Sequence, residues 1–217
     1  FIIIAPPNSS HFDIALLCMQ NDYNVICDKP LCVSAEQASL LAEISKKKNL
    51  ISATTYTFGG FPFIHLARAM VNQGEIGKPY FASFKYYRGS RLGEIVSNNI
   101  KTWRFTESIS GQGGTIADLG THIEYLSRFI LGASINRVLA RLLNQPGQVE
   151  LDTTGTILVE FDTGLAGTFM LAQAACGHDN DIEIEVLGDK GTLNWSFQRF
   201  SELRLDYLDG RSVIHRD

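Results

Sequence analysis

Residues 24–30, with the sequence Asn24-Val25-Ile26-Cys27-Asp28-Lys29-Pro30, run from a short apolar strand directly into a charged turn. An apolar strand at residues 1–5 and a helix at about 10–20 precede this stretch, and a helix at about 34–48 and a strand at 50–56 follow it. This β-α-β-α-β alternation with short loops predicts a parallel sheet with right-handed crossovers, about half of a doubly wound fold.

The pattern changes after Gly59-Gly60. A helix is predicted from Pro62 to near Gly74, an alternating strand at 79–88, an irregular polar segment at 89–112 and a helix at 114–131. Six further strands are predicted at about 135–143, 153–161, 164–174, 181–187, 191–197 and 202–208. Neighbouring strands joined by hairpin-type turns indicate a largely antiparallel sheet.

The predicted fold class is therefore α/β, with two domains. Residues 1–58 are expected to be the C-terminal part of a dinucleotide-binding (Rossmann) domain with a parallel sheet. Residues 59–217 are expected to form an α+β domain with an open, mainly antiparallel sheet.

The bulk composition is that of a globular protein, with 45% hydrophobic and 19% charged residues among 217. The formal net charge of −4 gives no general attraction to nucleic acid or anionic lipid. No apolar run is long enough to span a bilayer, and no signal peptide is visible. We therefore expect a cytoplasmic protein without a nucleic-acid or membrane partner.

The cysteines form no C-x-x-C pair and no second cluster that would complete a zinc site. They are Cys18, Cys27, Cys32 and Cys176. We expect buried free thiols in a reducing compartment, and no metal site.

Lys29 lies at the carboxyl end of a predicted parallel strand, the edge at which open α/β sheets bind their ligands. An ammonium group held there can donate a hydrogen bond to a substrate oxygen. Pro30 fixes the chain beside the lysine, and a cis peptide bond at this position would aim it. The alternative is a surface Lys-Pro turn next to a solvated Asp28.

Asp118 and His122 lie four residues apart on a predicted helix, so they share one face and are expected to edge the core. An imidazole can take up a proton near neutral pH, and the carboxylate can orient a substrate or tune the imidazole. Gly113, Gly114 and Gly120 leave room for a ligand or strand to approach. The alternative is an ordinary helix pair without function.

Other candidates are weaker. His11 begins a helix next to Asn8, where a phosphate or ribose would fit, or it helps to cap that helix. No G-x-G-x-x-G pattern follows a strand, because the segment that begins at Gly111 has isoleucine at position 116. The sequence also contains no Walker loop, nucleophile elbow or zinc helix motif.

Five segments, in order, match the motifs of a known family, and their spacing covers most of the chain. They are Ala5-Pro6-Pro7-Asn8-Ser9-Ser10-His11, Asp28-Lys29-Pro30, Gly74-Glu75-Ile76-Gly77, Trp103-Arg104, and Gly113 to His122. The chain thereby resembles the glucose–fructose oxidoreductase, inositol dehydrogenase and rhizopine-catabolism (Gfo/Idh/MocA) family of NAD(P)-dependent sugar and polyol dehydrogenases. It departs from the family pattern at Asp28, where the family has glutamate.

The resemblance implies hydride transfer between NAD or NADP and a carbinol carbon of a sugar, polyol or related hydroxy compound. It implies that His122 is the general base on the substrate hydroxyl, that Lys29 contacts this hydroxyl and the nicotinamide end, and that Asp118 assists. The resemblance also implies a set of cofactor-binding residues, to which we add His11 because it begins a helix next to Asn8. The residues expected to bind the cofactor are Pro7, Asn8, His11, Asp28, Pro30, Trp103 and Arg104.

The substrate pocket is expected to be shaped by aromatic and arginine side chains, which suit sugars, acids and nucleotide sugars alike. They are Tyr56, Phe58, Arg91, Trp103 and Arg104. By the resemblance, the protein is expected to form a homodimer or homotetramer through its C-terminal sheet.

The family's glycine-rich cofactor loop lies upstream of the first residue of this chain, which opens inside a strand. We expect that the beginning of the Rossmann domain is missing from this chain. We also expect the polypeptide to bind NAD(P) poorly, because the pyrophosphate would lack its helix N-terminus.

Two alternatives stay open. One is a non-catalytic ligand-binding or regulatory protein on the same scaffold. The other is an assembly module that presents a sheet face, with residues such as Phe161, Phe169 and Leu171, to a partner subunit.

Overall fold

The structure is a computed structural model that describes residues 1–97, 99–100, 102–147 and 149–216. The chain forms two sheets, a parallel sheet of three strands followed by a mostly antiparallel sheet of eight strands. This architecture confirms the predicted fold class.

Two helices alternate with the strands of the first sheet, whose order is β1-β2-β3. The elements are β1 (Ile2–Ile4), α1 (His11–Gln20), β2 (Val25–Cys27), α2 (Ala35–Lys48) and β3 (Ser52–Thr54). Both neighbouring pairs are parallel, as predicted, so the carboxyl ends of all three strands meet at one edge. Met19, Val25 and Leu41 belong to a small apolar core between the sheet and its helices.

The second sheet has the order β11-β10-β9-β8-β4-β7-β6-β5. Its strands are β4 (Pro79–Tyr87), β5 (Ile135–Leu143), β6 (Thr154–Phe161), β7 (Ala166–Ala172), β8 (Asp181–Gly188), β9 (Gly191–Ser196), β10 (Glu202–Tyr207) and β11 (Ser212–Arg216). Every neighbouring pair is antiparallel except β4 and β7, which run parallel at the centre of the sheet. Strand β11 was not predicted, because an edge strand with few apolar residues lacks a clear alternating pattern.

One face of this sheet packs against α3 (Pro62–Gln73) and α6 (Thr121–Leu131), and the main apolar core lies between them. Phe161, Phe169 and Leu171 belong to this core and are at most 3% exposed. The alternative in which these three residues face a partner subunit was therefore wrong, because helices of the same chain cover that face.

The segment at 89–112 is more ordered than its polar sequence predicted. It contains two short helices, α4 (Leu92–Ser97) and α5 (Glu107–Ser110), while residues 98 and 101 of the predicted irregular segment lie outside the described residues. Ile95 and Phe105 are buried in a small separate core, which anchors the segment beside the carboxyl ends of β1 and β2.

All four cysteines are free thiols, but they are not all buried as predicted. Cys27 is buried in β2, whereas Cys176 is exposed in the turn that follows β7. None of the helices in the described part of the chain has the length and apolar character needed to cross a lipid bilayer.

Candidate functional site

Lys29 and Asp118 come from distant parts of the chain and meet at the edge where the two sheets approach each other. The Lys29 ammonium forms an ion pair with the Asp118 carboxylate and donates a hydrogen bond to the Asp118 carbonyl oxygen at 2.8 Å. The two side chains are only 15% and 11% exposed. A surface Lys-Pro turn, the alternative considered for this lysine, does not fit this burial.

The helix that carries Asp118 and His122 is not uniform. A π-helical turn spans Ile116–Gly120 and continues directly into α6, where the sequence predicted one continuous helix. Turns of this kind occur frequently at functional sites. Asp118 and His122 are 9% and 7% exposed, so they edge the core as predicted.

Asp152 fixes the start of this helical segment. Its carboxylate oxygens accept hydrogen bonds from the amides of Gly114 and Ile116, each at 2.8 Å, and its carbonyl accepts from the Thr115 amide at 2.9 Å. A Cβ on Gly114 would lie 2.4 Å from the Asp152 carbonyl oxygen, so only glycine allows this close approach. Sequence reasoning missed Asp152, because a cap supplied from 36 or more residues away leaves no local signal.

Four groups hold Asp118 in its ionised form. Burial alone would raise the pKa of this carboxyl, but the charge and hydrogen bond of Lys29, followed by the charges of Arg104 and Arg88, lower it below its usual value. Gln173 donates from Nε2 to Asp118 Oδ2 at 3.1 Å, and Arg104 Nε lies 3.8 Å from the same oxygen. Asp118 is therefore an anion locked between cations and an amide.

His122 sits among aromatic rings. The ring centroids of Phe58, Tyr56 and Tyr86 lie 4.9, 5.9 and 6.1 Å from that of His122. Burial, followed by the charge of Lys29, lowers the pKa of His122 to about 4. The ring is thus neutral at pH 7, and its buried Nδ1 has no hydrogen-bond partner among the described residues. A neutral imidazole beside an ammonium can accept a proton from a ligand that both contact.

A cavity of about 220 Å³ lies beside Lys29, beyond the carboxyl ends of β1 and β2. Five of the seven residues predicted to bind a cofactor line it, namely Pro7, Asn8, Asp28, Trp103 and Arg104. His11 and Pro30 do not line it. His11 is 1% exposed, and its ring nitrogens lie 2.8 and 2.9 Å from the carbonyl oxygens of Pro30 and Pro6, so it ties two loops together behind the cavity.

Asp28 lines this cavity, and hydrogen bonds hold its carboxylate. Its Oδ1 accepts hydrogen bonds from the Thr55 hydroxyl at 2.6 Å and from the Lys29 amide at 2.9 Å. Burial alone would raise the pKa of Asp28, but these hydrogen bonds lower it below its ordinary value. The Lys29–Pro30 peptide bond is cis.

Two residues at the end of the parallel β4–β7 pair were missed by the sequence analysis. Arg88 directly follows β4, and Gln173 directly follows β7. A mainly antiparallel sheet gave no reason to expect that two neighbouring strands would end at the same edge of the sheet. The parallel pair creates that edge, and Gln173 there contacts Asp118.

Models of one protein family match both parts of the chain. The GFO/IDH/MocA C-terminal domain matches residues 64–194, more than half of the chain. The NAD-binding Rossmann fold of the GFO/IDH/MocA oxidoreductase family matches residues 1–56.

Relatives and solved structures agree with these matches. Levoglucosan dehydrogenase of Pseudarthrobacter phenanthrenivorans is 25% identical over 96% of this chain and 58% of that protein. The scyllo-inositol 2-dehydrogenase (NAD(+)) of Bacillus subtilis is 28% identical over 88% of this chain and 54% of that protein. An inositol dehydrogenase homolog from Azotobacter vinelandii, solved with NAD+, has a TM-score of 0.91 at 26% identity over 99% of this chain and 56% of that chain. The chain thus spans little more than half the length of these proteins.

The buried His122 should make stability depend on pH. Its pKa falls from 6.5 to about 4 in the folded state, so below pH 6.5 the unfolded chain binds a proton that the folded chain does not. Stability is therefore lost as the pH falls from 6.5 towards 4, by about 2 kcal/mol between pH 7 and pH 5. Urea unfolding at both pH values should show this loss in the wild type and not in His122→Asn. The exposed His65 supplies the control variant His65→Asn, and an equal pH dependence in wild type and His122→Asn would contradict the prediction.

Asp152→Ala should loosen the start of the helix that carries Asp118 and His122. Because the amides of Gly114 and Ile116 lose their hydrogen bonds to the Asp152 carboxylate, we expect the free energy of unfolding to fall by about 1–2 kcal/mol, as for a lost helix cap. Denaturant unfolding measures this, with Asp209→Ala in an exposed turn as the control. Equal stability of the two variants would show that this carboxylate does not anchor the segment.

Proposed function

The chain belongs to the GFO/IDH/MocA oxidoreductase family, and we propose that the protein carrying it transfers a hydride between NAD(P) and a carbinol carbon of a sugar, polyol or related hydroxy compound. Its relatives include dehydrogenases named for levoglucosan and scyllo-inositol. The observation that carries the proposal is the Lys29–Asp118 pair next to a neutral His122, which brings an ammonium, a carboxylate and a base to one edge of the fold.

In this proposal His122 removes the proton from the reacting hydroxyl. A general base must be unprotonated at the working pH, and burial keeps this imidazole neutral. The surrounding rings of Tyr56, Phe58 and Tyr86 exclude water and fix the plane of the imidazole.

Lys29 stabilises the charge that develops on the substrate oxygen. Its ammonium is already held by the Asp118 carboxylate and carbonyl, so little reorganisation is needed when it donates a further hydrogen bond. Asp118 acts through Lys29, and Gln173 and Arg104 restrain Asp118 in turn.

The residues around the cavity suit the nicotinamide end of the cofactor. The volume of about 220 Å³ is smaller than the roughly 300–1,000 Å³ of pockets that enclose a whole drug-sized ligand, and it suits one ring system. Pro7, Asn8, Asp28, Trp103 and Arg104 would hold this end of NAD(P). When bound, NAD(P) supplies the hydride acceptor or donor, and the protein supplies binding and electrostatics.

The proposal assigns residues 1–58 to the dinucleotide-binding domain and residues 59–217 to the substrate and oligomerisation domain. It also includes weak NAD(P) binding by the isolated 217-residue polypeptide, since this sequence has no glycine-rich phosphate-binding turn. Activity is therefore best measured on the natural protein that carries this chain.

His122→Asn should lower kcat for NAD(P)H formation by about 10²- to 10⁴-fold on the best substrate of a sugar and polyol panel, because the proton acceptor is lost. His65→Asn, on the exposed side of α3, is the matched control and should stay within about twofold of wild type. A decrease in kcat of less than about tenfold in His122→Asn would contradict the assignment of His122 as the general base. Ligand binding without turnover across the panel would instead favour a non-catalytic binding protein.

We further propose a homodimer or homotetramer through the open face of the eight-stranded sheet. Leu139 on β5 and Leu158 on β6 lie directly opposite each other on this face and are 71% and 51% exposed. Leu139→Glu should shift the protein towards smaller species in light scattering, because a charge would be buried at the interface. Lys78→Glu, away from this face, is the control, and a monodisperse wild-type monomer would exclude the assembly.

A further inference from the structure

Three arginines surround the Lys29–Asp118 pair. Arg104 Nε lies 3.8 Å from Asp118 Oδ2. Arg88 follows Tyr86 by two residues, so strand alternation puts its side chain on the same side of the sheet, where the Tyr86 ring lies 6.1 Å from His122. The charge of Arg88 contributes to holding Asp118 ionised.

Arg91 is the third arginine, and its guanidinium is incompletely paired. The side chain is only 16% exposed, and its buried Nε has no hydrogen-bond partner among the described residues. Its Nη1 lies 4.0 Å from Glu94 Oε1, which is too long for a hydrogen bond. Burial, together with the charges of Arg104 and Arg88, lowers the pKa of Arg91. The positive charges of Arg88, Arg91 and Arg104 thus lie close together in a region that is partly shielded from water.

Asp118 cannot neutralise these groups alone. Its carboxylate already pairs with Lys29 and accepts from Gln173, and Arg104 approaches the same oxygen as Gln173. Glu94, 4.0 Å from Arg91, is a second carboxylate, so three guanidinium groups and the Lys29 ammonium share these two anions. Excess positive charge in a partly buried cluster is costly, so this cluster is suited to a further anion.

Buried polar atoms without partners gather in the same region. Among the described residues, five buried side-chain atoms lack a hydrogen bond, and three of them are Arg91 Nε, His122 Nδ1 and Gln173 Oε1. Native proteins rarely leave such atoms unsatisfied unless a ligand or water completes them. Arg91 needs an acceptor, whereas Gln173 needs a donor such as a hydroxyl group. One ligand with hydroxyl groups and an anionic group meets both needs.

We propose that the hydroxy substrate of this site carries an anionic group, a carboxylate or a phosphate, that Arg91 binds with support from Arg88 and Arg104. Guanidinium groups match both anions in a two-pronged geometry that a neutral sugar does not offer. The inference rests on the proposed function, because it assigns this anion to the compound whose hydroxyl faces Lys29 and His122.

Matched sugars test the inference by binding rather than by turnover. Calorimetry on the natural protein with NADH, at low ionic strength, compares glucose, galactose and mannose with their uronic acids and their 6-phosphates. We expect at least one uronic acid or one phosphate to bind at least about tenfold more tightly than its neutral parent. The two arms identify whether the anion is a carboxylate or a phosphate. If no charged compound binds more tightly than its parent, the inference is overturned.

The variant Arg91→Gln tests whether Arg91 binds the anionic group. It should weaken binding of the preferred anion at least about tenfold, change binding of the neutral parent less than twofold, and reduce the salt dependence of anion binding. Arg91→Lys keeps the charge and should retain part of the preference, which guards against a folding defect. Arg211→Gln, in an exposed turn, is the control. Equal weakening of charged and neutral ligands by Arg91→Gln would contradict the assignment.

The two proposals fail in different ways. Tight, Arg91-dependent anion binding without NAD(P)H turnover on any compound would support the anion site and remove the oxidoreductase proposal. Turnover of neutral compounds without any preference for anions would support the oxidoreductase and overturn the anion site.

Discussion

The ion pair between Lys29 and Asp118 is the interaction on which the candidate site depends. Lys29 follows a strand of the parallel sheet, and Asp118 precedes the helix that covers the antiparallel sheet. Both side chains are largely buried, so either charge alone would be costly, and each stabilises the other. The pair therefore links the two parts of the chain at the point where the chemistry is proposed.

The charge of this pair also acts on His122. An isolated buried imidazole loses its proton through desolvation, and the nearby ammonium strengthens that effect. Asp118 opposes it but is held by Lys29, so the carboxylate stabilises the ammonium more than an imidazolium. The site thus keeps a neutral proton acceptor near the Lys29 ammonium, and one helical turn separates His122 from the Asp118 carboxylate that holds this ammonium.

The sequence predicted those parts of the site that local patterns encode. The alternation of residues 1–57, the position of Lys29 at a strand end and the spacing of Asp118 and His122 each follow from neighbouring residues. Asp152 and Gln173 act across 36 or more residues, and the parallel β4–β7 pair that positions Gln173 is set by tertiary packing. His11 was expected at the cofactor, but only the folded loops show that its ring spans two backbone carbonyls.

The arginines around Asp118 add further positive charge to the site. In the proposed mechanism, Lys29 is the cation that contacts the reacting oxygen. Arg88 adds positive charge near Asp118, and Arg91 adds it where burial makes a charge costly. Hydrogen bonds among the described residues do not satisfy the Arg91 Nε. Under the proposed anion site, this additional charge would serve recognition of another part of the substrate rather than the hydride transfer itself.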